Sequence, residues 1–331
     1  MFRLRVSYRS QRFHKSVALL LILLIALSLP SVRAESGEQQ PVQVGLSIVG
    51  NSTAWFTELI DHTERSAENY NMEIITNQLP EGDASWQKAS ALALLAQGID
   101  YLILFPYALD ICDDIYAAAR RSGIPLILVC GDSSYRDQCD IMIYVDYRTE
   151  GKMCAQVLTS KFGNTKRSIL AITGMRGSHI EELRMEGFME YLEQYPLLEV
   201  TALMEGSNNR VKTSNDVSDY LTRSPENIPD AIFSCCDEDG IGALNALKLS
   251  GYTPNKDTFI VSTNGTQDAL KALIADEYCA TVLSCKNLGA ILTLVIDRYE
   301  HGYRGIDYLA IPYHVYDETS DSWDLNSALY W

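Results

Sequence analysis

The residues able to do chemistry fall in short segments, each following an apolar run. They are 50–56 (GNSTAWF), 130–132 (CGD), 174–178 (GMRGS), 235–239 (CCDED), 263–266 (TNGT) and 284–286 (SCK). Aromatic rings, carboxylates, amides and hydroxyls gathered in this way supply stacking faces and hydrogen-bonding groups. Catalysis would need a nucleophile beside a base, or a convergent acid–base pair. The five histidines (His14, His62, His179, His301, His314) show no such pairing. A Gly-x-Ser-x-Gly elbow, a Walker loop and a dinucleotide fingerprint are all missing. The residues therefore point to recognition without catalysis.

Eight cysteines (Cys112, Cys130, Cys139, Cys154, Cys235, Cys236, Cys279, Cys285) show no CxxC or paired Cys/His spacing, so neither a metal nor a cofactor is expected. They read as buried thiols with at most one bridge, for which Cys130–Cys139 is the nearest loop-closing pair.

These segments must be positioned by the elements around them. Apolar strands at 42–49, 72–76, 101–105, 125–130 and 141–145 alternate with helices at 53–70, 84–97 and 110–122. A second series follows, with strands at 168–173, 199–204, 231–234, 258–263 and 280–284. Its helices lie at 149–162, 180–195, 211–222, 240–250, 267–276 and 288–301. Strands separated by helices of this length imply parallel sheets with helices on both faces. Two series imply two doubly wound α/β lobes. Open sheets of this kind bind ligands at the carboxyl ends of their strands, where the chemically rich segments fall.

The N-terminus sets the compartment. Arg3, Arg5, Arg9, Arg12 and Lys15 precede an apolar run at 17–29, and Val32 and Ala34 are small residues placed for cleavage after Ala34. This is the pattern of a secretory signal peptide over 1–34, with a linker at 35–41. The alternative is an uncleaved tether, although the run falls short of the roughly 20 residues a membrane span needs. The protein is expected to be exported, to the periplasm or the cell exterior. The chain carries 27 Lys and Arg against 43 Asp and Glu, and six of the basic residues lie in the acid-free leader, leaving the remainder at −22. Such a surface repels phosphates, which argues against a nucleic acid partner.

Five segments together resemble the type 1 periplasmic binding proteins, the branch typified by ribose- and galactose-binding proteins. They are QGIDYLILFP (97–106), GIPLILV (123–129), ELRMEGF (182–188), PDAIFSCCDEDGIGALNALKLSG (229–251) and TFIVSTNGTQDALKAL (258–273). The resemblance runs over roughly 42–312. It implies a monomeric receptor with two lobes joined by three hinge crossings, closing over a small sugar-like ligand. One lobe would hold 41–146 plus about 285–310, the other 147–284 plus about 311–331. The partner would be the permease of an ABC-type importer. The alternative is a membrane histidine kinase or chemoreceptor to which the bound state is presented.

The resemblance also nominates ligand-binding residues. Trp55 and Phe56 match the family's paired aromatics, with core packing as the alternative. Asp132 falls near the family's hydroxyl-binding Asp, and a turn role is the alternative. Arg184 belongs to the Arg-x-x-Gly-Phe helix and either contacts ligand or braces its lobe. Asp237 either faces the cleft or caps the following helix, and Tyr107 sits at another cleft-facing turn. Departures from the family pattern are Glu182 for a sugar-gripping Arg, Cys236 for an Asn, Asn264 for an Asp, Ser284 for a Gln and Asn208 for an aromatic. Exchanging a cation for Glu182 would make the cleft more acidic and suit a ligand carrying an amine, or a modified sugar.

Overall fold

The protein is described by a computed structural model covering residues 40–49, 53–79, 82–283 and 287–320. The expected leader and its cleavage point lie outside the described residues, as do Ser284 and Lys286. No described helix is long and apolar enough to cross a membrane.

The first five strands are β1 (Val42–Val49), β2 (Met72–Leu79), β3 (Tyr101–Leu104), β4 (Leu126–Cys130) and β5 (Ile141–Val145). Next come β6 (Arg167–Ile172), β7 (Leu198–Met204), β8 (Ala231–Ser234), β9 (Phe259–Thr263) and β10 (Ala280–Leu283), then β11 (Tyr308–Ile311) and β12 (His314–Asp317). They form two six-stranded sheets, ordered β11-β5-β4-β3-β1-β2 and β12-β10-β9-β8-β6-β7. Helices α1 (Ala54–Ala67), α2 (Ala84–Ala96) and α3 (Cys112–Ser122) connect the first strands. Helices α4 (Tyr147–Phe162), α5 (His179–Leu192), α6 (Arg210–Arg223), α7 (Asp237–Leu249) and α8 (Gln267–Ile274) serve the second sheet. The last helix, α9 (Leu288–Glu300), returns to the first, packing Leu292 and Ile296 with Leu59 of α1. The chain thus passes between the sheets three times: after β5, between β10 and α9, and between β11 and β12.

Strand alternation explains the cores. In β3, Tyr101 and Ile103 join one cluster with Leu59 and Leu292, while Leu102 and Leu104 face another with Leu94 and Ile115. In β6, Leu170 and Ile172 pack with Leu221 and Leu244, while Ile169 and Ala171 pack with Leu158 and Phe188. Helices on both faces demand apolar residues at every position, hence the near-continuous apolar runs.

Strands β11 and β12 were not anticipated, and β12 departs from the all-parallel expectation by pairing antiparallel with β10. The carboxyl ends of both sheets face each other. A chain leaving β11 at that end and entering the second sheet directly must run backwards along it. The cysteines among the described residues are buried thiols as expected, and the candidate Cys130–Cys139 pair is not bridged. Both thiols are buried and free, and Cys139 Sγ donates to the Arg136 carbonyl at 3.4 Å. The turn is closed instead by Asp132, which caps it through Ser134 N at 2.9 Å.

One helix crossing bears on the site. A Cβ added at Gly151 of α4 would lie 1.8 Å from the Arg184 carbonyl, and one at Gly187 of α5 would lie 1.9 Å from that of Arg148. Without side chains at these positions the two backbones touch, and this contact brings Glu150 against Arg184.

Candidate functional site

The carboxyl ends of the two sheets enclose a cavity of about 690 Å³, its mouth included. One wall comes from the first sheet and the helix after it: Val49, Thr53, Trp55, Phe56, Phe105 and Tyr107. The facing wall is polar, with Glu181, Arg184, Asn208, Cys236, Asp237, Glu238, Asn264 and Thr266. Tyr147, the first residue of α4, lines the hinge side.

The aromatic wall is ordered by edge-to-face contacts. The Trp55 and Phe56 rings lie 4.9 Å apart, and Phe105 sits 6.2 Å from Phe56. Both helix aromatics also pack against the first sheet's core, so the two roles expected for them coincide. Phe105 and Tyr107 are set by buried Gln87, which sequence reasoning missed. Its Nε2 donates to the Phe105 carbonyl at 2.7 Å, and its Oε1 accepts from Tyr107 N at 2.7 Å.

Tyr107 also ties the two walls together. Its carbonyl accepts from His179 N at 2.8 Å, and its hydroxyl donates to the Arg176 carbonyl. His179 opens α5 in the other lobe, where burial pushes its imidazole down to about 4, so the ring is neutral.

Arg184 stands at the centre of the polar wall. Its Nε donates to Glu150 at 2.7 Å, and one terminal nitrogen donates to the Cys235 carbonyl at 3.0 Å and to Asn264 Oδ1 at 3.2 Å. Its guanidinium carbon lies 5.4 Å from the centre of the Tyr147 ring. Burial opposes the charge, but Glu150 outweighs it and holds the guanidinium protonated. The Arg-x-x-Gly-Phe pattern is thereby accounted for: Arg184 reaches the cavity, Gly187 admits α4, and Phe188 stacks on Phe233 with centroids 3.8 Å apart.

Asp237 lines the cavity with its carboxylate tied inward. It accepts from Thr266 N at 2.6 Å, from Thr281 Oγ1 at 2.8 Å and from the Ser262 hydroxyl. Burial nevertheless pushes it up to about 6. Cys236 donates from Sγ to Asn208 Oδ1 at 3.0 Å, and burial raises its thiol well above the ordinary range, leaving it unreactive. Asn208 is held at φ 53° while its backbone N–H donates to Asp239 Oδ2 at 3.1 Å. Asn264 adopts φ 112°, a costly conformation for a residue with a Cβ.

The cavity thus gathers Trp55, Phe56, Tyr107, Arg184, Asn208, Cys236, Asp237 and Asn264 from the expected set. Asp132 and Glu182 are not among the lining residues, and Ser284 lies outside the described ones. Asp132 is spent on its own turn. Glu182 is exposed and faces an outer groove beside Arg176 and Glu205. The residue facing inward is Glu181. On a helix, positions i and i+3 share a face while i+1 turns some 100° away. Arg184 and Glu181 therefore point together, and that spacing was the available signal. Glu181 is 4% exposed, accepts from Met175 N at 2.7 Å and is pushed by burial up to about 7, against the opposing effects of Asn208 and Arg184.

Comparison with known proteins agrees with this architecture. Residues 44–294 match the model of the periplasmic binding protein domain. The ribose import binding protein of Bacillus subtilis is 25% identical over 291 residues, covering 86% of this chain and 92% of that one. Among solved structures, a galactofuranose binding protein superposes with a TM-score of 0.79 at 19% identity, covering 87% of this chain and 97% of that one. The periplasmic component of the arabinose ABC transporter from Shewanella sp. ANA-3, bound to arabinofuranose, gives 0.78 at 24% identity, with coverage of 86% and 95%. With two doubly wound lobes, three crossings and a family match over most of its length, this chain belongs to the periplasmic binding protein domain family.

Proposed function

We propose that this protein is an exported solute receptor that captures a small, sugar-like ligand between its lobes and delivers it to an ABC-type importer. The observation that carries the reading is the pairing of Trp55 and Phe56 on one wall with Arg184 and Asn264 on the other. A sugar offers C–H patches to aromatic faces and neighbouring hydroxyls to planar polar groups, and this cavity supplies both. The named ligands of the relatives, ribose, galactofuranose and arabinofuranose, are of the same class. Binding without transformation fits a cavity whose carboxyl groups are tied into hydrogen bonds and whose one lining thiol is held protonated.

A thermal-shift panel of pentoses, hexoses, amino sugars, cyclitols and nucleosides tests the reading. A ligand that binds only the folded state stabilises it by about 2.7 kcal/mol at a hundredfold excess over Kd. An upward shift confined to polyhydroxylated compounds is expected. A flat response across the panel would overturn the reading and turn attention to a sensor role with a protein partner.

A further inference from the structure

We propose that the ligand of this cleft carries a protonated amine in addition to its hydroxyls, recognised beside Glu181. The inference rests on the sugar-like reading above and narrows it to amino sugars and amino polyols.

The argument begins with charge. Of the acidic groups on the polar wall, Glu238 is neutralised by Arg210, with contacts of 2.7 and 2.9 Å. Glu181 and Asp237 form no ion pair among the described residues. Arg184 is the one cation lining the cavity among those residues, and its Nε is engaged by Glu150 at 2.7 Å. Asp237 is satisfied inward by its three hydrogen bonds, so the enclosed carboxyl group left to meet a ligand is that of Glu181, 4% exposed, whose one nearby cation among the described residues, Arg184, is already paired with Glu150. Enclosed carboxylates without a counter-charge are costly. Glu181 and Asp237 both titrate high for this reason, and so does Glu58 at the edge of the first lobe, pushed up to about 7 by burial and then by Asp237 and Asp268.

Two further features fit an ammonium group. The opposite wall presents Trp55 and Phe56, whose ring faces attract cations as well as C–H groups. The Thr266 hydroxyl, 1% exposed, also lines the cavity, beside Asp237, and can serve one of the ligand's polar atoms. An ammonium donates three hydrogen bonds and accepts none, which suits a wall rich in acceptors.

The test uses the full chain and pairs of compounds differing only by an amine in place of a hydroxyl: glucosamine with glucose, galactosamine with galactose, and an aminocyclitol with its inositol. Titration calorimetry at pH 7.5 is expected to give at least tenfold tighter binding for an amino member, with N-acetylation abolishing the gain. At pH 6, binding of the amine should release protons as Glu181 ionises, read as a heat that varies with the buffer's ionisation enthalpy. Glu181→Gln should bring the amino member down to its parent's affinity, and the proton release by wild-type protein serves as an independent readout if that variant folds poorly. Equal or tighter binding of a hydroxyl parent would overturn the amine inference and leave the sugar-like reading standing. No binding from any pair would overturn the amine inference, and the sugar-like reading falls with it only if the wider thermal-shift panel is flat as well.

Discussion

Arg184 and Glu150 meet at 2.7 Å with side chains 6% and 1% exposed, joining α5 to α4 beneath the cleft. Removing one member of an enclosed pair strands the other, which typically costs about 3–5 kcal/mol, whereas replacing both with apolar residues can be neutral. Glu150→Gln is therefore expected to lower the urea midpoint sharply. Glu150→Met with Arg184→Met should recover most of the stability and none of the ligand affinity. A loss in the double variant equal to the sum of the Glu150→Met and Arg184→Met losses would show that the pair is not coupled.

Glu181 and Asp237 make stability depend on pH. Each keeps its proton in the folded chain to a higher pH than in the unfolded chain, about 7 against 4.5 for Glu181 and about 6 against 3.8 for Asp237. Their contribution is complete below the unfolded values and lost as pH rises through the folded ones. Ligand-free protein should therefore melt higher at pH 5 than at pH 8, with Glu181 supplying on the order of 3 kcal/mol at most. Glu181→Gln should flatten the profile between pH 5 and 7. A profile with the same slope in that variant would contradict the assignment.

Tyr107 links the lobes through its hydroxyl and the Arg176 carbonyl. Tyr107→Phe removes one hydrogen bond, about 0.5–1.5 kcal/mol, from the closed form alone. Ligand affinity should fall roughly 2- to 10-fold, mostly through faster dissociation. The melting point without ligand should move little if the open form predominates there. Stopped-flow dissociation rates read this directly.

Asn264 pays for its position with backbone strain at φ 112°. Asn264→Gly should leave stability unchanged or raise it by up to about 1 kcal/mol, while lowering affinity by loss of the amide that meets Arg184 at 3.2 Å. Asn264→Ala should lose both. Denaturant midpoints and binding isotherms on the two variants separate strain from recognition.

Much of this was legible in the sequence because two-sided burial leaves an unmistakable apolar pattern. β3 and β4 are apolar at every position, and helices such as α1 and α3 carry a clear apolar stripe. Trp55, Phe56, Arg184 and Asn264 were legible because each follows a strand end or sits in a dense motif. The pattern weakened where burial is one-sided: β11 and β12 are four residues each and bury one residue apiece, Ile311 and Tyr316. Glu181 was lost to Glu182 because a one-residue slip along a helix changes the face presented. Gln87 was invisible because its role, holding two main-chain segments beneath Phe105 and Tyr107, depends on strands distant in sequence.

The central claim is that one polyhydroxylated ligand binds in this cleft between an aromatic wall and Arg184. Titration calorimetry of the wild-type chain, repeated on Phe56→Ala and Arg184→Met, measures it most directly. The predicted result is one ligand per chain, with affinity at least tenfold weaker in both variants while each still unfolds cooperatively. Binding that is unchanged in both folded variants would place the ligand elsewhere and contradict the account.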